Sequence, residues 1–351
     1  GILKMDVDDL GSVFGSIKDF EQNRKISKAF KWFFLGLVFL AIIVGNAAYQ
    51  AGNLSGAALG MQVVFPNFNA WQLVLGLIAM TLLYFSKFKS LEKVLITLVL
   101  LMSVCFLITA ICVKPDLTAL LAGFIPGRFS ESHLLLALGL IGTTVVPYNL
   151  FLHASTIKEK YNDPSQLSDL RRESAVSILL GGLISMCIII TSASTIYGTD
   201  IEVANAVDLG RQLEPLLGSW AKYVMGIGLF GAGISSSITA PLAAAYCARG
   251  IFNWTADDKD VKFRGVWFFI LILGIGFSSL GIKPIQIIQV AQIANGLLLP
   301  IIAIFLLYIM NKKSLLKEYV NTPIRNTMGI VIVGLTLLLA FKSFNAVFKF
   351  F

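Results

Sequence analysis

A chain of 351 residues with 56% hydrophobic and only 14% charged residues falls well below the roughly 25% charged content of a soluble domain. That balance excludes an ordinary water-soluble fold and points to a polytopic membrane protein. The formal charge of +8 would suit a nucleic-acid binder only if the basic residues formed one patch, and their distribution along the chain does not.

Residues 1–32 are polar and of mixed charge, with Asp6, Asp8 and Asp9 followed by Arg24, Lys25 and Lys28. They read as a cytoplasmic surface segment ahead of a transmembrane domain over 33–351. The opening Gly1-Ile-Leu-Lys-Met lacks the continuous apolar stretch of a signal peptide. It also lacks an initiator methionine, so we expect the chain to begin partway through a longer protein. Apolar runs follow at 33–57, 70–86, 91–113, 134–155, 175–197, 219–248, 264–282, 285–310 and 327–347. Each is near the length of about 20 residues that crosses a bilayer as helix, giving nine expected spans.

The first span carries Asn46, Gln50 and Asn53 at i, i+4 and i+7, on one helix face, among many glycines and alanines. Each alone suits interhelical hydrogen bonding; together they suit a polar lining. Cys105, Cys112, Cys187 and Cys247 lie in or at the ends of apolar runs without CxxC spacing. They read as small buried hydrophobes and not as a disulfide or zinc framework. Residues 114–133, rich in Pro and Gly, leave room for a short interfacial helix, and 199–217 has the apolar spacing of an extracellular surface helix.

The fourth span holds Gly142-Thr-Thr-Val-Val-Pro-Tyr-Asn-Leu-Phe-Leu-His153. Pro147 falls near the bilayer midplane, removes a backbone donor and pushes Val146 toward extended geometry. A helix that breaks there frees carbonyls around Thr143 to Val146, and broken helices are where secondary transporters place their sites. A packing kink is the simpler alternative, but Tyr148, Asn149 and His153 follow within two turns, and polar residues inside a span are costly and usually functional. His153 lies toward the cytoplasmic end.

In the span at 219–248, Ser235-Ser-Ser-Ile-Thr-Ala-Pro241 makes Ser236 and Thr239 candidates for lining a pathway, although such hydroxyls also bond within their own helix. The span at 285–310 carries Gln286, Gln289, Gln292 and Asn295 as a slowly drifting polar stripe. Carboxamide oxygens can ligate a hard cation, and Gln292 and Asn295 lie deepest. No Asp or Glu sits well inside any span.

With residues 1–32 placed inside and sides alternating, inside segments hold 21 of the 28 Lys and Arg residues and outside segments 7. This is the positive-inside bias, and it places the C-terminus outside.

Four stretches carry a resemblance to the natural resistance-associated macrophage protein (Nramp) family of divalent metal transporters. Gly142 to His153 resembles the family's sixth helix, usually ending Met-Pro-His-Asn-Leu-Tyr-Leu-His. Gly45-Asn-Ala-Ala-Tyr-Gln-Ala-Gly-Asn-Leu-Ser-Gly-Ala57 resembles the third, Gly231 to Ala243 the eighth, and Ala291-Gln-Ile-Ala-Asn-Gly-Leu-Leu-Leu-Pro300 the tenth. The resemblance implies an all-α, LeuT-like inverted-repeat fold, here with family helices three to eleven. The family's first helix, with its metal-binding Asp-Pro-Gly-Asn, and its second have no counterpart in this sequence. The resemblance makes Thr143 a carbonyl ligand, Gln292 a side-chain ligand and His153 part of the cytoplasmic route. Val146 replaces the family's methionine ligand, Tyr148 its histidine, and Gln50 and Asn53 its third-helix acids.

Soft thioethers favour transition metals, whereas oxygen ligands suit magnesium, calcium or manganese. The expectation is therefore a divalent-cation carrier in a bacterial inner membrane, tolerant of hard ions and weakly proton-coupled. The metal is its substrate, the bilayer its partner, and no cofactor, nucleic acid or obligate protein partner is implied. A degenerate carrier acting as scaffold or sensor, and a LeuT-fold carrier of an organic solute, are the alternatives. Without HExxH, paired carboxylates in the spans or a nucleophile–base pair, the sequence does not read as an enzyme.

Overall fold

The computed structural model describes the backbone of residues 28–85, 88–123, 136–141, 153, 157, 160–161, 166–199, 203–252, 254 and 260–349. Side chains are described for the same residues except 28–42, 88–92, 250–251, 295, 315 and 342–349. All regular structure among the described residues is helical. The long helices are α1 (Lys28–Gln62), α2 (Trp71–Phe85) and α3 (Phe88–Cys112), then α5 (Leu167–Thr195), α8 (Ala221–Phe252), α9 (Val261–Ser278), α10 (Pro284–Ile309) and α12 (Pro323–Lys349). Short helices α4 (Leu117–Ala122), α6 (Ala206–Gly210), α7 (Glu214–Leu217) and α11 (Lys313–Leu316) connect them. Six helical stretches among the described residues are long and apolar enough to cross a membrane.

Eight of the nine expected spans have a long helix. The ninth, 134–155, is described only at 136–141 and His153, all helical. The differences lie at the ends. α1 continues to Gln62 instead of stopping at 57, because Ala57, Ala58 and Leu59 are fully buried and alanine is the strongest helix former. α5 begins at Leu167, eight residues before its apolar run. Asp169, Arg171, Arg172 and Glu173 extend that helix beyond the apolar stretch. α9 starts where the Asp260 carboxylate accepts from the Lys262 amide at 2.7 Å, an N-cap. α4 and α6 fill the places expected for short helices in the two longer connections, each capped by a side chain, Asp116 and Asn205 respectively.

α1 runs through the middle of the molecule and packs on α2, α8, α9 and α10. Its apolar residues Leu54, Ala57 and Ala58 meet Leu75 and Ala79 of α2, Ile234 and Ile238 of α8, and Trp267 and Leu271 of α9 in one core. A second core joins Phe106 and Ala110 of α3 to Cys187 of α5 and Met225 of α8. The α1–α8 crossing is made by small residues. A Cβ on Gly233 would lie 2.5 Å from the Ala57 nitrogen and 2.6 Å from the Asn53 carbonyl oxygen, so only glycine permits that approach. Lipid-facing surfaces explain the apolar exterior, with Ile178, Leu179, Ile324 and Ile330 all exposed. The four cysteines are free, as expected, but Cys112 at the end of α3 is exposed and Cys105 is only half-buried.

Candidate cation site and pathway

The three carboxamides of α1 share one inward face. Asn46, Gln50 and Asn53 are all buried. Gln50 donates through Nε2 to the Ser237 carbonyl of α8 at 3.1 Å, and Asn53 donates through Nδ2 to Gln50 Oε1 at 3.4 Å. Gly274 of α9 leaves space for the Gln50 stem, since a Cβ there would stand 2.8 Å from Gln50 Cβ.

On α8, Ser236 and Thr239 are half-buried. Thr239 Oγ1 donates to the Ser235 carbonyl at 3.2 Å. The hydroxyl of Ser237, a residue not singled out in the sequence, donates to the Gly233 carbonyl at 2.7 Å. These in-helix bonds account for the Thr239 and Ser237 hydroxyls by local packing.

α10 contributes the most suggestive atom. Gln292 Oε1 is buried and has no hydrogen-bond partner among the described residues. An unsatisfied buried oxygen asks for a water or an ion. α10 approaches α1 at Gly52, where a Cβ would lie 3.4 Å from Ala291 Cβ. It meets the 136–141 helical segment through Ile293 and Gly296, facing Gly139 and Leu138. Gln292 thus belongs to the part of α10 that adjoins both α1 and the segment leading into Gly142.

Thr143, Val146, Pro147, Tyr148 and Asn149 lie outside the described residues, as does the side chain of Asn295, whose backbone is helical within α10. His153 is helical and exposed. The structure therefore buries Asn46, Gln50 and Asn53 on α1, with Gln50 bonded to α8, leaves Ser236 and Thr239 half-buried on α8, and sets Gln292 on α10 beside α1. Among the described residues no three His, Cys, Asp or Glu side chains cluster to hold a metal.

Charge pairing occurs elsewhere, between residues 157–161 and the start of α5. Lys160 Nζ lies 2.7 Å from Glu173 Oε2, and the Tyr161 hydroxyl donates to the same carboxylate. The hydrogen bond that Lys160 donates to Glu173 pushes the ammonium above the usual lysine range.

The divalent metal cation transporter MntH of Caldanaerobacter subterraneus subsp. tengcongensis is 25% identical over 310 residues, covering 85% of this chain and 72% of that protein. The MntH of Nostoc sp. is 28% identical over 325 residues, covering 86% and 72%. The crystal structure of the Eremococcus coleocola manganese transporter, solved with an aromatic bis-isothiourea substituted compound, superposes with a TM-score of 0.68 at 19% identity. It covers 96% of this chain and 76% of that one. At that identity the likeness speaks for the fold alone, and it agrees with the all-α, LeuT-like architecture expected from the sequence. The natural resistance-associated macrophage protein-like family matches residues 20–345. A match of that extent, on a shared helical fold, means that this chain belongs to the Nramp family.

Proposed function

We propose that this chain carries divalent metal cations across a membrane. The reading rests on one observation above all: the buried Gln292 Oε1, without a hydrogen-bond partner among the described residues, at the position that family resemblance makes a ligand. Thr143, Val146 and Asn295 complete the proposed cation site, Thr143 and Val146 through their carbonyls. Asn46, Gln50, Asn53, Pro147, Tyr148, Asn149, His153, Ser236 and Thr239 border the pathway.

Neutral oxygens and the missing thioether at Val146 favour hard ions, and magnesium fits a site that leaves it several waters. Helices α1, α8, α9 and α10 contain no Asp or Glu, so proton coupling through them is weak. The positive-inside bias orients residues 1–32 to the cytoplasm and the C-terminus outward, in a bacterial inner membrane.

Uptake of magnesium and manganese by the protein in liposomes, with and without a pH gradient, tests this. Comparable uptake of both ions without proton influx supports it. Strict manganese selectivity with proton influx overturns the hard-ion and coupling terms. No uptake of either ion would favour a scaffold or sensor.

A further inference from the structure

α8 runs unbroken from Ala221 to Phe252 with Pro241 inside it. Proline has no N–H, so Pro241 gives nothing to the carbonyl four residues earlier, which is that of Ser237. A backbone acceptor left open inside a membrane protein has to be satisfied by a neighbour. The donor found at that oxygen is Gln50 Nε2, 3.1 Å away and 187 positions earlier in the chain. Gln50 is fully buried, its stem confined by Gly274 and its oxygen engaged by Asn53 Nδ2. Tyr49, the neighbour of Gln50, packs on Ala240 and Ala243 on either side of the proline turn.

We propose that Gln50 is the positioning residue of α8: it supplies the hydrogen-bond donor that Pro241 removes, and so fixes the proline turn of α8 against α1. Asn53 orients the carboxamide so that nitrogen, not oxygen, faces Ser237. The chemistry requires an amide here. Glutamine offers a donor and an acceptor on one group, whereas an ionised carboxylate only accepts and would face the Ser237 oxygen as a second acceptor. With both ends engaged, Gln50 acts on the route through α8 and does not ligate the cation. The inference rests on the α1–α8 packing and not on the identity of any transported ion.

A double-mutant cycle on the full chain in detergent tests it. Gln50→Leu lowers the melting midpoint. Pro241→Ala restores an in-helix donor to the Ser237 carbonyl, so Gln50→Leu added to Pro241→Ala shifts the midpoint by a much smaller amount. Equal drops in the two backgrounds overturn the proposal. Should Gln50→Leu alone fail to accumulate, recovery of folded protein on adding Pro241→Ala supports it, and no recovery overturns it.

Gln50→Glu gives a second readout that a merely space-filling role would not move. A carboxyl can donate to Ser237 only while it holds its proton, so its stabilisation is present at low pH and lost as rising pH removes that proton. The packed helices add little titration of their own. After Lys31 α1 carries only Tyr49, between Tyr223 and Arg249 α8 carries only Tyr246 and Cys247, and beyond Arg264 α9 carries none. The other helices that meet α1 bring only Tyr84 on α2, Asp208 on α6 and Tyr308 on α10. The midpoint of Gln50→Glu relative to the parent therefore falls between about pH 5 and pH 9. A difference that stays constant over that range overturns the proposal.

Discussion

Gly296 of α10 lies against the backbone of Leu138: a Cβ on the glycine would stand 2.7 Å from the Leu138 carbonyl oxygen and 2.7 Å from its Cγ. The side chain of Leu138 can turn away, but its carbonyl cannot without moving the helical segment 136–141. That segment leads directly into Gly142, and its spacing from α10 is set by the missing side chain at 296. We expect Gly296→Val to cost about 1–3 kcal/mol of stability, the usual range for overpacking. A lowered melting midpoint with reduced metal uptake checks this, and a fully stable, active variant would show that the segment yields.

Gln292 offers the clearest test of the ligand assignment. Gln292→Leu keeps the approximate volume and removes the buried oxygen. A hydrogen bond or ligand contact to a charged partner is worth about 1.5–3 kcal/mol, so the half-saturating cation concentration should rise roughly tenfold to a hundredfold. The melting midpoint should hold or rise, because Gln292 Oε1 satisfies no described protein donor. Unchanged half-saturation would remove Gln292 from the ligand set.

Helices α1, α8, α9 and α10 carry no carboxylate, so a dication crossing beside them keeps most of its charge. One elementary charge gains about 2.3 kcal/mol per 100 mV, and a dication about 4.6 kcal/mol. An inside-negative potassium diffusion potential should therefore accelerate uptake into liposomes strongly, while a pH gradient alone should not. Voltage-independent uptake would point to a counter-charge moving with the ion.

Lys160 gives a pH dependence whose sign can be worked out. Its hydrogen bond with Glu173 raises the lysine pKa in the folded state. The contribution is fully present below the ordinary lysine value and fades as pH rises through the raised one. Lys160→Met should leave the shape of the melting profile unchanged from neutral to mildly alkaline pH, and change its strongly alkaline limb and the acid limb where Glu173 takes up its proton. A difference in slope near neutrality would contradict this.

Helix positions were legible in the sequence because uninterrupted apolar runs leave few other options in a bilayer. Their ends were less so. Gly56, Ala57 and Gly60 dilute the apolar signal of α1, yet the helix continues through them because α8 presses on that side. Gln292 was legible as a carboxamide deep in its span, and its Oε1 is buried without a described partner. Ser237 was passed over: its hydroxyl is unremarkable, and what matters is the carbonyl four residues before Pro241. That spacing is visible in the sequence, but the donor that answers it lies on another helix. His153, expected toward the cytoplasmic end of its span, is helical with an exposed side chain.

The glycine contacts described above have a mechanical consequence. At Gly60, Gly226 and Gly233 the main chains of α1 and α8 touch, and at Gly76 and Gly274 α9 is keyed into α2 and α1. Joints that close do not slide, so α1, α2, α8 and α9 act as a stator. Alternating exposure of a site would then fall to elements outside that block, α10 among them, turning against it as carriers of repeated design do. Spin labels on α2 and α8 should hold their separation when cation is added, while a pair spanning α8 and α10 should not.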